Sequence, residues 1–318
     1  MSDLSVCEQI IKSIESVFIT EDPDVLKKIL CAFLSGGHIL LEDNPGLGKT
    51  SLVKAIARTL NIEWKRIQFT PDLMPSDIIG TKIWDTNTSS FKLERGPLFT
   101  NFLLADEINR AMPKTQSALL EAMEEKQITI DGITHKLQEP FIVMATQNPI
   151  EMEGTYQLPE AQLDRFAIKL SLGYLQDIES ECKILKNRIS KASDDVSKDI
   201  TAVVSKEDII NIRQDIESIF VHDNIIKYIT KIVRQTRVNN NINVGASPRG
   251  ALALLKLTKA LAYIEDRTFV TPDDVKMLAP DILGHRVLLN FESAMEGVKA
   301  TSVILDILDA VPVPKDFV

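Results

Sequence analysis

Residues 38 to 50 read HILLEDNPGLGKT, and no other stretch limits the fold as tightly. Ile39, Leu40 and Leu41 form a short apolar run without helical spacing, which suits a strand buried on both faces of a parallel sheet. Pro45, Gly46, Leu47, Gly48, Lys49 and Thr50 then make a turn of residues with special backbone geometry. In SLVKAIARTL, which follows, Leu52, Ala55, Ile56 and Leu60 share one helical face. Strand, glycine loop and helix N-terminus together form an anion site. N–H groups that no helical carbonyl reaches point at a phosphate, and the helix dipole favours its charge. Glycines let the backbone approach, the lysine neutralises outer phosphates and the threonine hydroxyl binds Mg²⁺. Asp43 stands where the strict G-x-x-x-x-G-K-[ST] pattern has its first glycine, and an aspartate can sit in a left-handed turn there. Taken alone, the stretch also reads as a Pro-Gly turn before an ordinary core helix. The rest of the chain decides.

With 318 residues the chain is long enough for two domains, each with its own core. Apolar content of 44% and charged content of 25% are those of an ordinary soluble protein. Cys7, Cys31 and Cys182 are odd in number and lack C-x-x-C spacing, which fits a reducing compartment and implies neither a disulfide framework nor a zinc knuckle. The opening MSDLSVCEQI carries an early acid and no basic-then-apolar order, so no signal peptide is expected. No apolar run reaches membrane-spanning length, and membrane insertion is not expected. The expected location is cytoplasmic. A net charge of −9 argues against wholesale binding of nucleic acid or anionic membrane, and leaves room only for a local basic channel.

Along the chain, Val6, Ile10, Ile14, Val17 and Phe18 share a helical face. Asp22-Pro23 opens a second helix, which Gly36-Gly37 ends. Trp64 to Phe69 reads as a strand. Residues 70–96 are punctuated by proline and glycine and read as a hairpin or loop insertion. Their ionisable groups, Asp72, Asp77, Lys82, Asp85, Lys92, Glu94 and Arg95, are three basic against four acidic, not the basic surface a phosphate backbone needs. Phe102 to Ala105 is an apolar strand ending in Asp106-Glu107, at the carboxyl end where open α/β sheets bind ligands. There one acid can hold Mg²⁺ and the other polarise water, although solvated acids capping a strand are also common. Pro113 to Lys126 reads as a helix, and Asp131-Gly132 as the turn of a hairpin over 126–138. Phe141 to Ala145 is another buried strand, with Thr146-Gln147-Asn148 at its end. A last strand spans Ala167 to Leu172. Beyond about residue 173 the alternation stops, and segments 177–190, 206–219, 223–237, 248–265 and 300–309 read as helices. Ser247-Pro248 and Thr271-Pro272 are N-cap and first helical position of two helices, and 190–199 is a polar loop. The fold class is therefore α/β, a phosphate-loop core with a parallel sheet flanked by helices over 1–172, followed by an all-α domain over 173–318.

The strings LEDNPGLGKT, LLADEINRAMPKTQSALLEAME, ATQNPIEMEGTYQLPEAQLDRF, GASPRG and FVTPDDV resemble those of MoxR-type AAA+ ATPases, relatives of the magnesium chelatase-like branch. The similarity runs from about residue 17 to the C-terminus. The resemblance implies an AAA+ core with a helical lid, Mg-dependent ATP hydrolysis with ADP as product, and a homo-oligomeric ring, expected to be a hexamer. It makes Asn44, Pro45, Gly46, Leu47, Gly48, Lys49, Thr50 and Ser51 the Walker A loop that holds ATP or ADP. Asp106 and Glu107 become Walker B, with Thr50 and Asp106 on Mg²⁺ and Glu107 catalytic. Asn148 matches sensor 1, Arg165 the arginine finger and Arg249 sensor 2. The segments 70–96 and 126–138 match loops facing a ring's central pore. Ile19-Thr20 replace a Val-Gly-Gln signature near the adenine, and Leu175 replaces a usual proline after Gly173-Tyr174.

Arg165 also reads as a salt-bridged surface arginine; as a finger it needs a neighbouring subunit. Arg249 can serve its own subunit or the next. His38, His135, His222 and His285 are scattered without H-E-x-x-H spacing, which argues against a metal hydrolase. Three functions fit. The first is a chaperone-like ring ATPase that remodels, matures or inserts cofactors or metals into protein clients, with von Willebrand factor A-domain proteins implied by the family. The second is a DNA-directed motor, against which the non-basic loops count, and no nucleic-acid partner is expected. The third is a nucleotide-gated binding module, against which the intact acid pair counts.

Overall fold

The computed structural model describes residues 5–149, 154–191, 195 and 197–317, and every statement of absence below refers to these. Residues 150–153 of the ATQNPIEMEG string and 192–194 and 196 of the expected polar loop lie outside them. Helices α1 (Val6–Glu15) and α2 (Pro23–Leu34) precede β1 (Ile39–Glu42). Gly36 takes φ +75° just past α2, the left-handed stop that a glycine permits. Then come α3 (Lys49–Thr59), β2 (Trp64–Gln68), α4 (Pro75–Ile79), β3 (Gly80–Asp85), β4 (Ser90–Arg95) and β5 (Phe102–Asp106). Next are α5 (Pro113–Glu125), β6 (Gln127–Ile130), β7 (Ile133–Lys136), β8 (Ile142–Gln147), α6 (Glu160–Leu163), β9 (Ile168–Leu170) and α7 (Ile178–Lys191).

The sheet runs in the order β2-β5-β8-β1-β9. Its interior strands are continuous apolar runs, as burial on both faces requires. Ile39 to Leu41, Phe102 to Ala105 and Ile142 to Ala145 are all buried. Each fully buried leucine or isoleucine contributes at most about 1.5–3 kcal/mol. Parallel register sets Gln68 beside Asp106 and Ala105 beside Ala145, so the polar residues that end β2, β5 and β8 emerge side by side.

Two hairpins project from this scaffold. The 70–96 insertion is the short helix α4 followed by the antiparallel pair β3–β4. Its root closes tightly: a Cβ on Gly80 would lie 2.3 Å from the Glu94 carbonyl oxygen, and one on Gly96 2.3 Å from that of Ile78. Trp84 and Phe91 face each other across this hairpin in a T-shaped pair 5.1 Å apart, yet are 54% and 68% exposed. In β6–β7 the expected turn is present, with Asp131 at φ +48° and Gly132 at φ +78°, the pair of positive angles of a type I′ turn.

The remaining elements are α8 (Lys206–Ser218), α9 (Asp223–Thr236), β10 (Ile242–Val244), α10 (Pro248–Ile264), α11 (Pro272–Leu283), β11 (Leu288–Leu289), α12 (Phe291–Met295) and α13 (Ala300–Ala310). The expected caps form: Ser247 Oγ accepts from the Arg249 N–H at 3.1 Å, and Thr271 makes a capping box with Asp274. The ladder β10–β11 is an addition to a region whose sequence pattern is helical; two or three residues are too few to show a period. By internal contacts the chain forms two compact units: Met1–Pro23 with Leu40–Leu158 and Ser171–Ile209, and Asp24–Ile39 with Pro159–Leu170 and Ile210–Val318. No helix is long and apolar enough to cross a membrane.

Candidate nucleotide site

Beyond β1 the backbone turns through Gly46 at φ +90° and Gly48 at φ +75°, angles that side chains resist. Gly48 holds the N-cap position of α3 without a side-chain bond, leaving the first N–H groups of that helix uncapped from there. The loop, with Lys49, Thr50 and Ser51, lines a polar cavity of about 220 Å³. Asp106, Glu107 and Asn148 line it too, so residues from three separate strings meet there, whereas Asn44 of the loop is not among the lining residues.

Asp43 does not occupy the left-handed turn expected of a glycine substitute. It is 4% exposed, and its carboxylate accepts hydrogen bonds from Ser171 Oγ (2.7 Å), the Leu172 N–H (2.8 Å) and the Gly173 N–H (3.3 Å). The buried carboxylate of Asp43 is satisfied by these three donors from the segment after β9, as a buried charge requires. The Asp43 carbonyl accepts from Lys49 Nζ at 2.8 Å. Burial draws the Lys49 pKa below its ordinary value, opposed by the negative charges of Asp43, Asp106 and Glu107.

The two acids have different surroundings. Asp106 Oδ1 accepts from Thr146 Oγ1 at 2.6 Å, and Oδ2 accepts from Arg66 Nε and a second guanidinium nitrogen at 3.2 and 2.7 Å. Glu107 accepts from Gln68 Nε2 at 2.7 Å and pairs with Arg110 at 2.9 Å. Its own N–H donates to Thr146 Oγ1 at 2.9 Å. Arg66, Gln68 and Arg110 were not legible as site residues. In β2 the only sign is that Arg66 and Gln68 alternate around the buried Ile67, which sets them on one face.

A second cavity, of about 620 Å³, shares the loop as one wall. Phe18, Ile19, Leu172, Tyr174, Leu175 and Leu185 line it, so of the positions that depart from family signatures Ile19 and Leu175 face this space. Asn44 Nδ2 donates to the Tyr174 hydroxyl at 3.1 Å. Arg165, after α6, and Arg249, in the first turn of α10, belong to the second compact unit.

Comparison with known proteins bears on the family. Residues 38–168 match the model of the "ATPase family associated with various cellular activities (AAA)", and residues 234–307 match an AAA lid domain. The chain is 47% identical to "Uncharacterized protein YeaC" of Bacillus subtilis, over 92% of this chain and 90% of that protein. It is 38% identical to "Chaperone MoxR1" of Mycobacterium tuberculosis, over 99% of this chain and 84% of that one. A crystal structure of a candidate ATPase from Cytophaga hutchinsonii superposes with a TM-score of 0.90 at 42% identity, covering 98% of this chain and 95% of the other. An AAA core, an AAA lid and near-full-length similarity to a MoxR chaperone together mean that this chain belongs to the MoxR-type AAA+ ATPases.

Proposed function

We propose that this ATPase acts as a ring-shaped oligomer, a hexamer by family resemblance, which couples Mg-dependent ATP hydrolysis to remodelling, maturation or cofactor insertion in protein partners. One observation carries the nucleotide reading: the glycine loop, Lys49, Thr50, the acid pair and Asn148 line a single polar cavity. The residues fit a Mg-nucleotide. Thr50 and Asp106 are hard oxygen donors, few in number, as Mg²⁺ shared with phosphates requires. When bound, Mg²⁺ neutralises phosphate charge and orients the phosphate oxygens. Asn44 to Ser51 cradle the phosphates, Lys49 neutralises the outer ones, and Asn148 reaches the terminal one. Glu107 takes the proton of the attacking water. Arg165, from a neighbouring subunit, and Arg249 stabilise the charge that develops in the transition state. The larger, mostly apolar cavity beside the loop accommodates the base.

Proteins are the partners that the surface favours. The exposed pair Trp84–Phe91 offers an apolar grip, while Lys82, one of the few basic groups there, lies 3.8 Å from the Asp131 carboxylate. By family resemblance, von Willebrand factor A-domain proteins are the client class. An ATP titration of Lys49→Ala tests the site: binding should be lost, and parental affinity in this variant would remove the phosphate-loop assignment. Partner class is tested by DNA binding at rising salt. Tight binding whose logarithmic affinity falls steeply with salt would overturn the protein-client reading in favour of a DNA-directed motor.

A further inference from the structure

The strings LDRF and GASPRG each contain an arginine with a proposed role, and each also contains a polar residue without one, Asp164 and Ser247. Within the second compact unit their side chains meet. Asp164 Oδ1 accepts from Arg286 Nε at 2.7 Å, and Oδ2 accepts from Ser247 Oγ at 3.2 Å. Ser247 is also the N-cap whose oxygen accepts from the Arg249 N–H. The Arg286 side chain, 2% exposed, donates further to the carbonyls of Asp164 (3.2 Å), Phe166 (2.6 Å), Ala167 (3.1 Å) and Ile282. The backbone on both sides of Arg165 therefore ends on one guanidinium, whose rigid fork spans several acceptors at once. The start of the helix carrying Arg249 ends on the same carboxylate.

We propose that Asp164 and Arg286 are positioning residues that fix Arg165 and Arg249 as one rigid pair, so that the two arginines act as a unit. The inference rests on the catalytic reading of those arginines given above. Charge supports it as well: Arg286 is drawn down in pKa by burial and by the nearby charge of Arg249, and Asp164 opposes both. The half-buried Asp164 carboxylate thus offsets part of a local cluster of arginine charge, of the kind that an anionic phosphoryl group meets.

The test is Asp164→Asn in the full-length assembled protein, in the parent and in Arg165→Ala. Displacing a group that stabilises the transition state by about 1 Å costs up to about 10²-fold in rate. Asp164→Asn should lower kcat about 10- to 10²-fold with unchanged KM, nucleotide affinity and assembly. In Arg165→Ala it should add less than about twofold, because a misplaced finger and a missing one lose the same interaction. Mixed with Lys49→Ala subunits, it should recover turnover, since the neighbour's intact Asp164 and Arg165 serve its sound pocket. Equal losses in both backgrounds, or parental kcat, would overturn the proposal. An unimpaired Arg165→Ala would instead overturn the catalytic reading beneath it. Should Asp164→Asn melt below the assay temperature, Ser247→Gly carries the same test against Arg249→Ala: kcat should fall in the parent and not in that variant, and equal losses would overturn the coupling.

Discussion

Glu107 is constrained in backbone and side chain alike. Its φ of +55° and ψ of +51° are left-handed, which costs a non-glycine residue about 1–2 kcal/mol. The N–H bond to Thr146 and a carbonyl that accepts from the Arg110 N–H at 2.9 Å hold it there. Glu107→Gln should bind ATP with parental affinity and hydrolyse it at least about 10²-fold more slowly, because the amide keeps the shape but cannot act as a base. Asp106→Asn should weaken Mg-dependent binding itself. If both variants lose binding alike in titrations, the separate roles of the two acids are wrong. His285 offers a different test. Its Nδ1 and Nε2 each lie 3.1 Å from a carbonyl oxygen, of Asp281 and Phe166. Its pKa is nevertheless well below the ordinary value, chiefly through burial and also through the charges of Arg286 and Lys169. The unfolded chain therefore binds a proton at this site that the folded chain refuses. Stability from this group is full above the unfolded value of about 6.5 and declines as pH falls below it, by at most about 1.4 kcal/mol per pH unit. The melting-temperature gap between the parent and His285→Gln should be widest near pH 7 and narrow toward pH 5. A gap constant with pH would show that the folded chain takes up this proton as readily as the unfolded one, and would overturn the lowered pKa.

Among the elements, the phosphate loop is tied to the segment that follows β9. Asp43 gathers the Ser171 hydroxyl and two N–H groups, while Glu21 accepts the N–H of Asp177 at 2.6 Å and that of Gln176. The stretch 171–177, which forms part of the larger cavity, is thus held from two sides. Asp43→Ala should destabilise the protein by about 1–3 kcal/mol, since hydrogen bonds to a charged acceptor are lost. It should also weaken nucleotide binding, because one wall of the cavity loosens. Thermal melts and nucleotide titrations measure the two effects. A variant that melts lower but binds nucleotide at parental affinity would confine Asp43 to a structural role.

For the assembled molecule the sharpest expectation concerns Arg165. An arginine supplied by a neighbour is worth roughly 10³–10⁵ in rate in GTPases. If Arg165 acts in this way, specific ATPase activity rises with protein concentration as rings form. Arg165→Ala should bind ATP and assemble, yet hydrolyse poorly. Mixed with Lys49→Ala subunits it should recover activity wherever its sound pocket meets a neighbour's intact Arg165. Turnover of the variants apart and together, with assembly followed by light scattering, checks this. No recovery in verified mixed rings would count against action in trans, and a fully active Arg165→Ala would end the finger assignment.

The sequence alone determined every feature whose cause is local. Ile39 to Leu41 reads as a buried strand because three apolar side chains in succession leave no solvent face, and the β6–β7 turn is legible because Asp131-Gly132 tolerates two positive angles. Ser247 and Thr271 announce their helices because a cap bonds two or three residues away. The long strings carried the family. Only the tertiary structure decided the partners of side chains far apart in sequence. Arg66 reaches Asp106 across 40 residues, Asp43 reaches Leu172 across 129, and Arg286 reaches Asp164 across 122. Asp43 shows the difference most directly, since a pattern match reads it as an imperfect glycine while the fold makes it an acceptor for distant N–H groups. Such bonds are set by strand order and register, which juxtapose residues through the whole fold, whereas local patterns record only what neighbouring residues impose on the backbone.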